Sequence, residues 1–164
     1  MKLIGNTKIR FITNMIQHYN PNKYFTMRSK VLDTTYKSTI LKLWYLYRIK
    51  KMDAFNNASF GTNFNSGAFF KTPPILPHGL NGIIIGHDCV IGKNVVIHQQ
   101  VTIQHGGNIK IGDDVMIGAG AKILKGASIG NGAKIGANCV VFENIPEGAT
   151  VVLPKPRIIL KKKE

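Results

Sequence analysis

The 164-residue sequence has few cysteines, few acidic residues and no long run of apolar residues. Two cysteines exclude a disulfide-rich scaffold and are typical of a protein in a reducing compartment. No apolar stretch approaches the length of a membrane-spanning helix, and the N-terminal stretch MKLIGNTKIRFITNMIQ lacks the features of a secretory signal. We therefore expect a cytoplasmic protein that works in solution or at the inner face of a membrane.

The scarcity of acidic residues leaves a formal net charge of +14, with 22 Lys and Arg against 8 Asp and Glu. Such an excess is typical of a solvated surface, of attraction to an anionic substrate, or of contact with an anionic membrane surface. No nucleic-acid recognition motif accompanies the charge, so we do not expect a nucleic-acid partner.

A six-residue repeat runs from Ile85 to Val141. In each unit the first place is Ile or Val, the second is usually Gly and the fifth is mostly small, with one two-residue slip at 104–110. This short period predicts a solenoid, because one unit cannot bury its apolar face alone but a stack of units can. We expect three units per triangular coil, inward-pointing first-place residues, and second-place glycines that supply the unusual backbone of each turn.

Residues 1–57 differ from the repeats and predict a short helical segment. Apolar residues with helical spacing predict a first helix that Pro21 ends; they are Ile9, Ile12, Met15 and Ile16. A second helix is predicted after a cap at Asp33 or Thr34. Its apolar stripe is typical of packing on the first coil or on a neighbouring subunit, or of a membrane-surface helix. The stripe consists of Ile40, Leu43, Trp44 and Tyr47.

Residues 58–84 lead into the repeats through an early unit at Phe60-Gly61. The Gly, Pro and Asn content of residues 65–82 predicts a loop, and functional residues concentrate on loops held by a rigid scaffold. This loop places His78 directly before the regular coils. We divide the chain into a helical segment (1–57), a repeat domain (58–150) and a basic tail (151–164).

The repeats resemble those of the hexapeptide-repeat acyltransferases, in the branch of serine acetyltransferase and related sugar O-acetyltransferases. The matching segments are LPHGLNGIIIG (76–86), VVIHQQVTI (95–103), IKIGDDVMIGAGAKILKGASIGNGAKIGANCVV (109–141) and VVLPKPRII (151–159). The resemblance implies a left-handed parallel β-helix, although the general rule for parallel crossovers predicts the opposite hand. It also implies acetyl-CoA as acyl donor, no metal, and a homotrimer with sites between subunits.

The resemblance assigns the general base to His78, whose place before a GIIIG strand matches that of the family's base. An imidazole suits this task because its pKa lies near neutrality. His105 is a second active-site candidate, and aligning from the far side of the slip puts Asn108 at that place instead. His98 lies at a turn, where it either flanks the site or is solvated. His87 is expected to form a surface pair with its neighbour Asp88.

The resemblance also assigns the acetyl-CoA groove to small residues in the later repeats. Small side chains let the backbone approach the pantetheine arm closely. The matching residues are Gly118, Ala119, Gly120 and Ala137, with Lys122 or Lys134 close by. Lys155 and Arg157 are the candidates for binding the phosphates, although the glycine that the family carries just before them is absent here.

We expect an acetyl-CoA-dependent O-acetyltransferase that acts on a sugar hydroxyl, in surface or capsular polysaccharide biosynthesis, by direct transfer with a His general base. Pro77 stands where serine acetyltransferases carry an Asp that holds the amino acid, and the large helical domain of those enzymes is missing from this sequence. Serine O-acetylation in cysteine biosynthesis is therefore the first alternative. A non-catalytic solenoid that binds partners or acts as a scaffold is the second.

Overall fold

The computed structural model describes residues 12, 15–16 and 18–159 of the chain. Helix α1 spans Pro21–Leu32 and helix α2 spans Thr39–Phe55. Helix α1 was not predicted from the sequence, because Pro21 begins this helix instead of ending the one before it. Asn20 caps α1 by accepting the Lys23 N–H at 3.1 Å, and proline in the first turn loses no helical hydrogen bond. In the predicted first helix, Ile12, Met15 and Ile16 are helical, and Ile9 lies outside the described residues.

Helix α2 begins after a Ser38 cap, several residues later than the sequence predicted. Asp33 instead ends α1 and accepts the Thr35 N–H at 2.8 Å. The face of α2 that packs on the solenoid carries Lys42, Ile49 and Asp53. The predicted apolar stripe lies on the other side and is exposed to solvent. No helix in the described part of the chain has both the length and the hydropathy to cross a membrane.

The rest of the chain forms two-residue strands that pair in parallel along three faces of a solenoid. Face I contains β1 (Ser59–Phe60), β5 (Ile84–Ile85), β8 (Thr102–Ile103), β11 (Lys122–Ile123) and β14 (Val140–Val141). Face II contains β4 (Phe69–Phe70), β6 (Val90–Ile91), β9 (Lys110–Ile111) and β12 (Ser128–Ile129). Face III contains β7 (Val96–Ile97), β10 (Met116–Ile117), β13 (Lys134–Ile135) and β15 (Thr150–Val151). The short strands β2 (Thr62–Asn63) and β3 (Ser66–Gly67) form an antiparallel hairpin beside the first coil.

This architecture is a parallel β-solenoid of about four coils, consistent with a left-handed β-helix, and it confirms the predicted fold class. The first-place residues stack as expected: Ile85 pairs with Ile103, which pairs with Ile123. The first-place side chains are buried, and so are the small residues at the fifth place. Burial of each isoleucine contributes about 2 kcal/mol, so the stack of coils supplies the core that single units lack.

The second-place glycines are needed for a different reason from the one predicted. Left-handed backbone occurs two places later in the unit, for example at Gln100 (φ 61°) and Gly120 (φ 71°). A Cβ on Gly118 would lie 2.7 Å from the backbone nitrogen of Ala137, and one on Gly86 would lie 2.5 Å from the Cα of His105. Glycine at the second place therefore permits the close approach of successive coils.

The segment predicted to be a loop, residues 65–82, completes the first coil of the solenoid. Its β4 strand pairs with β6, and Ile75 bridges to Val96 on face III. The aromatic rings of Phe60 and Phe70 lie 5.5 Å apart, and both contact Phe25 of α1. Helix α1 thus covers the first coil through an aromatic cluster.

A buried polar cluster joins the two helices to this coil. The Arg28 guanidinium is almost fully buried and donates to Thr62 Oγ1 at 3.0 Å and to the carbonyl oxygens of Phe60 and Ala68. The Tyr24 hydroxyl donates to Asp53 at 2.8 Å. Because burial favours the neutral form, it lowers the pKa of Arg28 to about 10 and raises the pKa of Asp53 to about 6.

The raised pKa of Asp53 predicts a pH-dependent effect of Asp53→Asn on stability. The pKa in the folded state exceeds the ordinary value of 3.8, so the folded state holds this proton more tightly than the unfolded state. The contribution of Asp53 is therefore most favourable below about pH 4 and is lost as pH rises through about 6. We therefore compare the free energy of unfolding of Asp53→Asn with that of the wild type. The difference, variant minus wild type, should increase by up to about 3 kcal/mol as the pH rises from 4 to 7.

Urea denaturation at several pH values measures this gain. The matched control is Asp33→Asn, because Asp33 is exposed and hydrogen bonds from Thr35 lower its pKa. In that control the difference from wild type should change in the opposite direction with pH. A difference for Asp53→Asn that stays constant from pH 4 to pH 7 would contradict the assignment.

Candidate active site

The corners between the three faces form edges that run along the solenoid. We call the corners that link face III to face I the His78 edge, which comprises residues 76–83, 98–101, 118–121 and 136–139. We call those that link face I to face II the His105 edge, which comprises residues 86–89, 104–109 and 124–127. These two edges carry the histidines of the solenoid.

The structure places His78 and His98 together on the His78 edge. His78 is exposed, and its ring centroid lies 5.9 Å from that of His98, one coil further along the edge. The corner holding His78 is anchored by buried Leu80, whose carbonyl accepts the Ile83 N–H at 2.9 Å. A rigid turn therefore presents one imidazole to solvent with a second within reach of the same bound molecule.

The predicted groove residues continue along the same edge. Ile97, Ile117 and Ile135 are in register on face III, so the turns after them, at 98–101, 118–121 and 136–139, lie one above another. These turns are joined by the Gly120 N–H to the Gln99 carbonyl (3.0 Å) and by the Asn138 N–H to the Ala119 carbonyl (2.8 Å). Small side chains leave the backbone of this edge open to a ligand. The groove residues in it are Gly118, Ala119, Gly120 and Ala137.

The candidate cations lie beside this edge in different settings. Lys122 Nζ donates to the Gln100 carbonyl and to Thr102 Oγ1, both at 3.2 Å. Lys134 is exposed on face III. Lys155 and Arg157 follow β15 in the tail that leaves face III, and both are exposed. The tail therefore carries positive charge that solvent can reach.

His105 lies on the other edge, away from His78 within one chain. Its ring stacks on that of His87, with centroids 5.6 Å apart and an angle of 26° between the planes. Asn108, the alternative candidate, lies in the same excursion with left-handed backbone. A single chain therefore brings His78 together with His98 and the groove residues, but does not bring it together with His105.

Asp88 has a structural role that the sequence did not predict. The expected pair with His87 is not formed, and Asp88 Oδ2 instead accepts the N–H groups of Gly106 at 2.6 Å and Gly107 at 3.1 Å. Burial tends to raise the pKa of Asp88, but the backbone donors outweigh it and lower the pKa. The sequence offered one signal of this role, namely that Asp88 lies one coil before the adjacent glycines Gly106 and Gly107. This carboxylate holds the excursion that carries His105.

Comparison with known families agrees with this architecture. The family described as bacterial transferase hexapeptide (six repeats) matches residues 108–143, and the hexapeptide repeat of succinyl-transferase matches residues 79–102. No curated protein gives a significant match.

Similar solved structures include several serine acetyltransferases. One in complex with CoA is 36% identical to this chain, with a TM-score of 0.55 over 66% of this chain and 44% of that one. Serine acetyltransferase isoform 3 from Entamoeba histolytica, in complex with cysteine, is 28% identical, with a TM-score of 0.62 over 74% of this chain and 44% of that one. The Neisseria gonorrhoeae enzyme in complex with serine is 29% identical, with a TM-score of 0.63 over 84% of this chain and 54% of that one.

The fold and the two edges define a parallel β-helix built from hexapeptide repeats. The family models, which match residues 79–102 and 108–143, and the solved structures support assignment of the chain to the hexapeptide-repeat acyltransferase superfamily. The chain spans about half the length of the serine acetyltransferases it matches.

Proposed function

We propose that this protein is an acetyl-CoA-dependent O-acetyltransferase. The observation that carries the proposal is the placement of an exposed imidazole, His78, on the same edge as the small-residue turns at 118–121 and 136–139. The family models describe transferases, and one similar structure is a complex with CoA. Both facts support acyl-CoA as the donor.

In the proposed reaction, His78 removes the proton of the acceptor hydroxyl as its oxygen attacks the thioester carbonyl. A backbone N–H group stabilises the oxyanion of the tetrahedral intermediate. The intermediate collapses, the C–S bond breaks, and the CoA thiolate takes the proton from the imidazolium. The Gly and Ala turns hold the pantetheine arm, while Lys155 and Arg157 bind the phosphates.

We further propose that the active form is a homotrimer. The two faces that meet at the His78 edge carry outward-pointing apolar side chains that are 42 to 51% exposed. They are Ile84 and Val140 on face I and Ile75 and Met116 on face III. A neighbouring subunit packed there would cover them and bring its own His105 edge toward His78. Light scattering on the purified protein tests this assembly.

L-serine is the acceptor that the comparisons favour, because serine acetyltransferases are among the similar solved structures. A sugar hydroxyl in surface or capsular polysaccharide synthesis is the second candidate. The observation in its favour is Pro77, which precedes His78 where the resemblance leads us to expect an aspartate that holds the amino acid.

Release of the CoA thiol, measured with L-serine and with nucleotide-linked or polymeric sugars, separates the two acceptors. Turnover with L-serine supports the first, and turnover with a sugar alone supports the second. No acetyl-CoA turnover with any hydroxyl acceptor would contradict the enzyme assignment and favour a binding or scaffold role.

We expect Arg157→Ala to weaken CoA binding about tenfold while changing kcat little. A cation that contacts only the phosphates binds the ground state and the transition state equally, so its loss raises KM and the dissociation constant. Titration calorimetry with CoA measures the effect, and Lys110→Ala, an exposed lysine on face II, is the control. An unchanged dissociation constant would exclude the tail from the phosphate site.

A further inference from the structure

The outer face of helix α2 has no part in the proposed reaction and is unusually apolar for a surface that faces solvent. Five side chains define it, and each is 50 to 81% exposed: Ile40, Leu43, Trp44, Tyr47 and Phe55. The opposite face of the helix buries two charged residues, Lys42 and Asp53. The helix therefore exposes aliphatic and aromatic side chains while its packed face holds polar ones.

Two open grooves flank Trp44 and Arg48 on this outer face. One has a volume of about 550 Å³ and is lined in part by Tyr47 and Lys51. The other has a volume of about 410 Å³ and lies toward α1, where Lys23 and Lys30 line it. The Arg48 guanidinium lies 5.3 Å from the centre of the Trp44 ring. Both grooves thus place cations beside exposed aromatic surface.

Cations also dominate the surroundings of this face. Among residues 18–58, the charged side chains that are not buried include six cations and one acid, Asp33. The cations are Lys23, Lys30, Lys37, Arg48, Lys50 and Lys51. A second copy docked face to face would set these cations against their own counterparts, which opposes self-association. An anionic surface with an apolar interior complements both the charge and the aromatic side chains.

We propose that the outer face of α2 binds the anionic surface of a lipid bilayer. Ile40, Trp44 and Tyr47 enter the boundary between headgroups and acyl chains, where aromatic side chains are favoured. Arg48 and Lys51 contact the lipid phosphates. The proposal does not depend on the acyltransferase assignment, since the face and the reaction use different residues.

Trp44 is the single tryptophan of the chain, so its fluorescence reports on this face directly. We expect the protein to float with vesicles of phosphatidylcholine and phosphatidylglycerol, but not with pure phosphatidylcholine vesicles. The Trp44 emission should shift to shorter wavelength, and brominated lipids should quench it. Absence of flotation, or flotation with unchanged Trp44 emission, would overturn the proposal.

Two variants test the apolar and the cationic parts separately. Ile40→Ser/Tyr47→Ser should weaken vesicle binding about tenfold or more, because it removes apolar surface from the contact. Arg48→Gln/Lys51→Gln should weaken it about 25-fold, since each cation near an anionic leaflet contributes about fivefold. Vesicle binding equal to that of the wild type in both variants would contradict the proposal.

The matched controls remove similar groups from the solenoid and its tail. They are Phe142→Ser/Ile158→Ser for exposed apolar surface and Lys110→Gln/Lys125→Gln for exposed charge. We expect these controls to bind vesicles like the wild type, and circular dichroism to show that all four variants are folded. If light scattering without lipid gives the wild type a larger mass than Ile40→Ser/Tyr47→Ser, the face is a subunit contact and the proposal is wrong.

Discussion

His78→Ala should lower kcat by about a hundredfold or more while leaving CoA binding nearly unchanged. The imidazole is the only proposed acceptor for the hydroxyl proton, and a positioned general base typically contributes roughly 10²–10⁴-fold. His78 is exposed on the His78 edge, so its removal should not disturb the core. Steady-state kinetics with the identified acceptor and calorimetry with CoA measure the two effects.

Three other histidines make this test specific. His98→Ala probes the ring 5.9 Å from His78, and His105→Ala probes the other edge. His18→Ala, which alters an exposed residue against Phe55, is the control and should retain wild-type turnover. Near-normal kcat in His78→Ala would refute the assignment, and a larger loss in His98→Ala would transfer the role of base to that residue.

Arg28→Met should reduce the free energy of unfolding by about 3 to 5 kcal/mol. The guanidinium donates to Thr62 Oγ1 and to two carbonyl groups, of Phe60 and Ala68, in a buried setting. Methionine fills similar space but donates nothing, so buried acceptors lose their partner and Asp53 loses a nearby positive charge. Urea denaturation near neutral pH measures the loss.

The control for Arg28→Met is Arg48→Met, because Arg48 is exposed and lies on the outer face of α2. That change should alter the free energy of unfolding by less than about 0.5 kcal/mol. A loss below about 1 kcal/mol for Arg28→Met would show that the buried hydrogen bonds do not hold the helices on the first coil.

The repeats could be predicted from the sequence because each unit repeats the same buried position. Ile85, Ile91 and Ile97 recur every six residues, a period that no helix or ordinary strand shares, so the coils and the pairing of their strands follow from it. The second-place glycines were recognised, but for the wrong reason, because their constraint comes from the next coil and not from their own backbone. A contact with a residue one coil away cannot be recognised from the sequence around a single glycine.

The helices and the site were less predictable, because tertiary contacts decide them. Pro21 was expected to stop one helix but starts another, and only the Asn20 cap distinguishes these outcomes. The apolar stripe of α2 suggested packing, yet hydrogen bonds between Asp53 and Tyr24 and between Lys42 and Asn65 hold the opposite face inward. The grouping of His78 with His98 required the fold, since the two histidines belong to different coils. The roles of His78, His105 and the groove residues stay predictions.

The two-residue slip has a consequence for how this protein can diversify. Thr102 pairs with Ile84 on one side and with Lys122 on the other, so the coil from β8 to β11 is longer than the coil from β5 to β8. The stack of buried isoleucines is nevertheless continuous across both coils. The extra length lies in the excursion at 104–109, outside the core, where Asp88 accepts backbone hydrogen bonds. Insertions and deletions there can change the shape of the His105 edge while the buried core keeps its register. The length of this edge and the stability of the fold can therefore evolve separately.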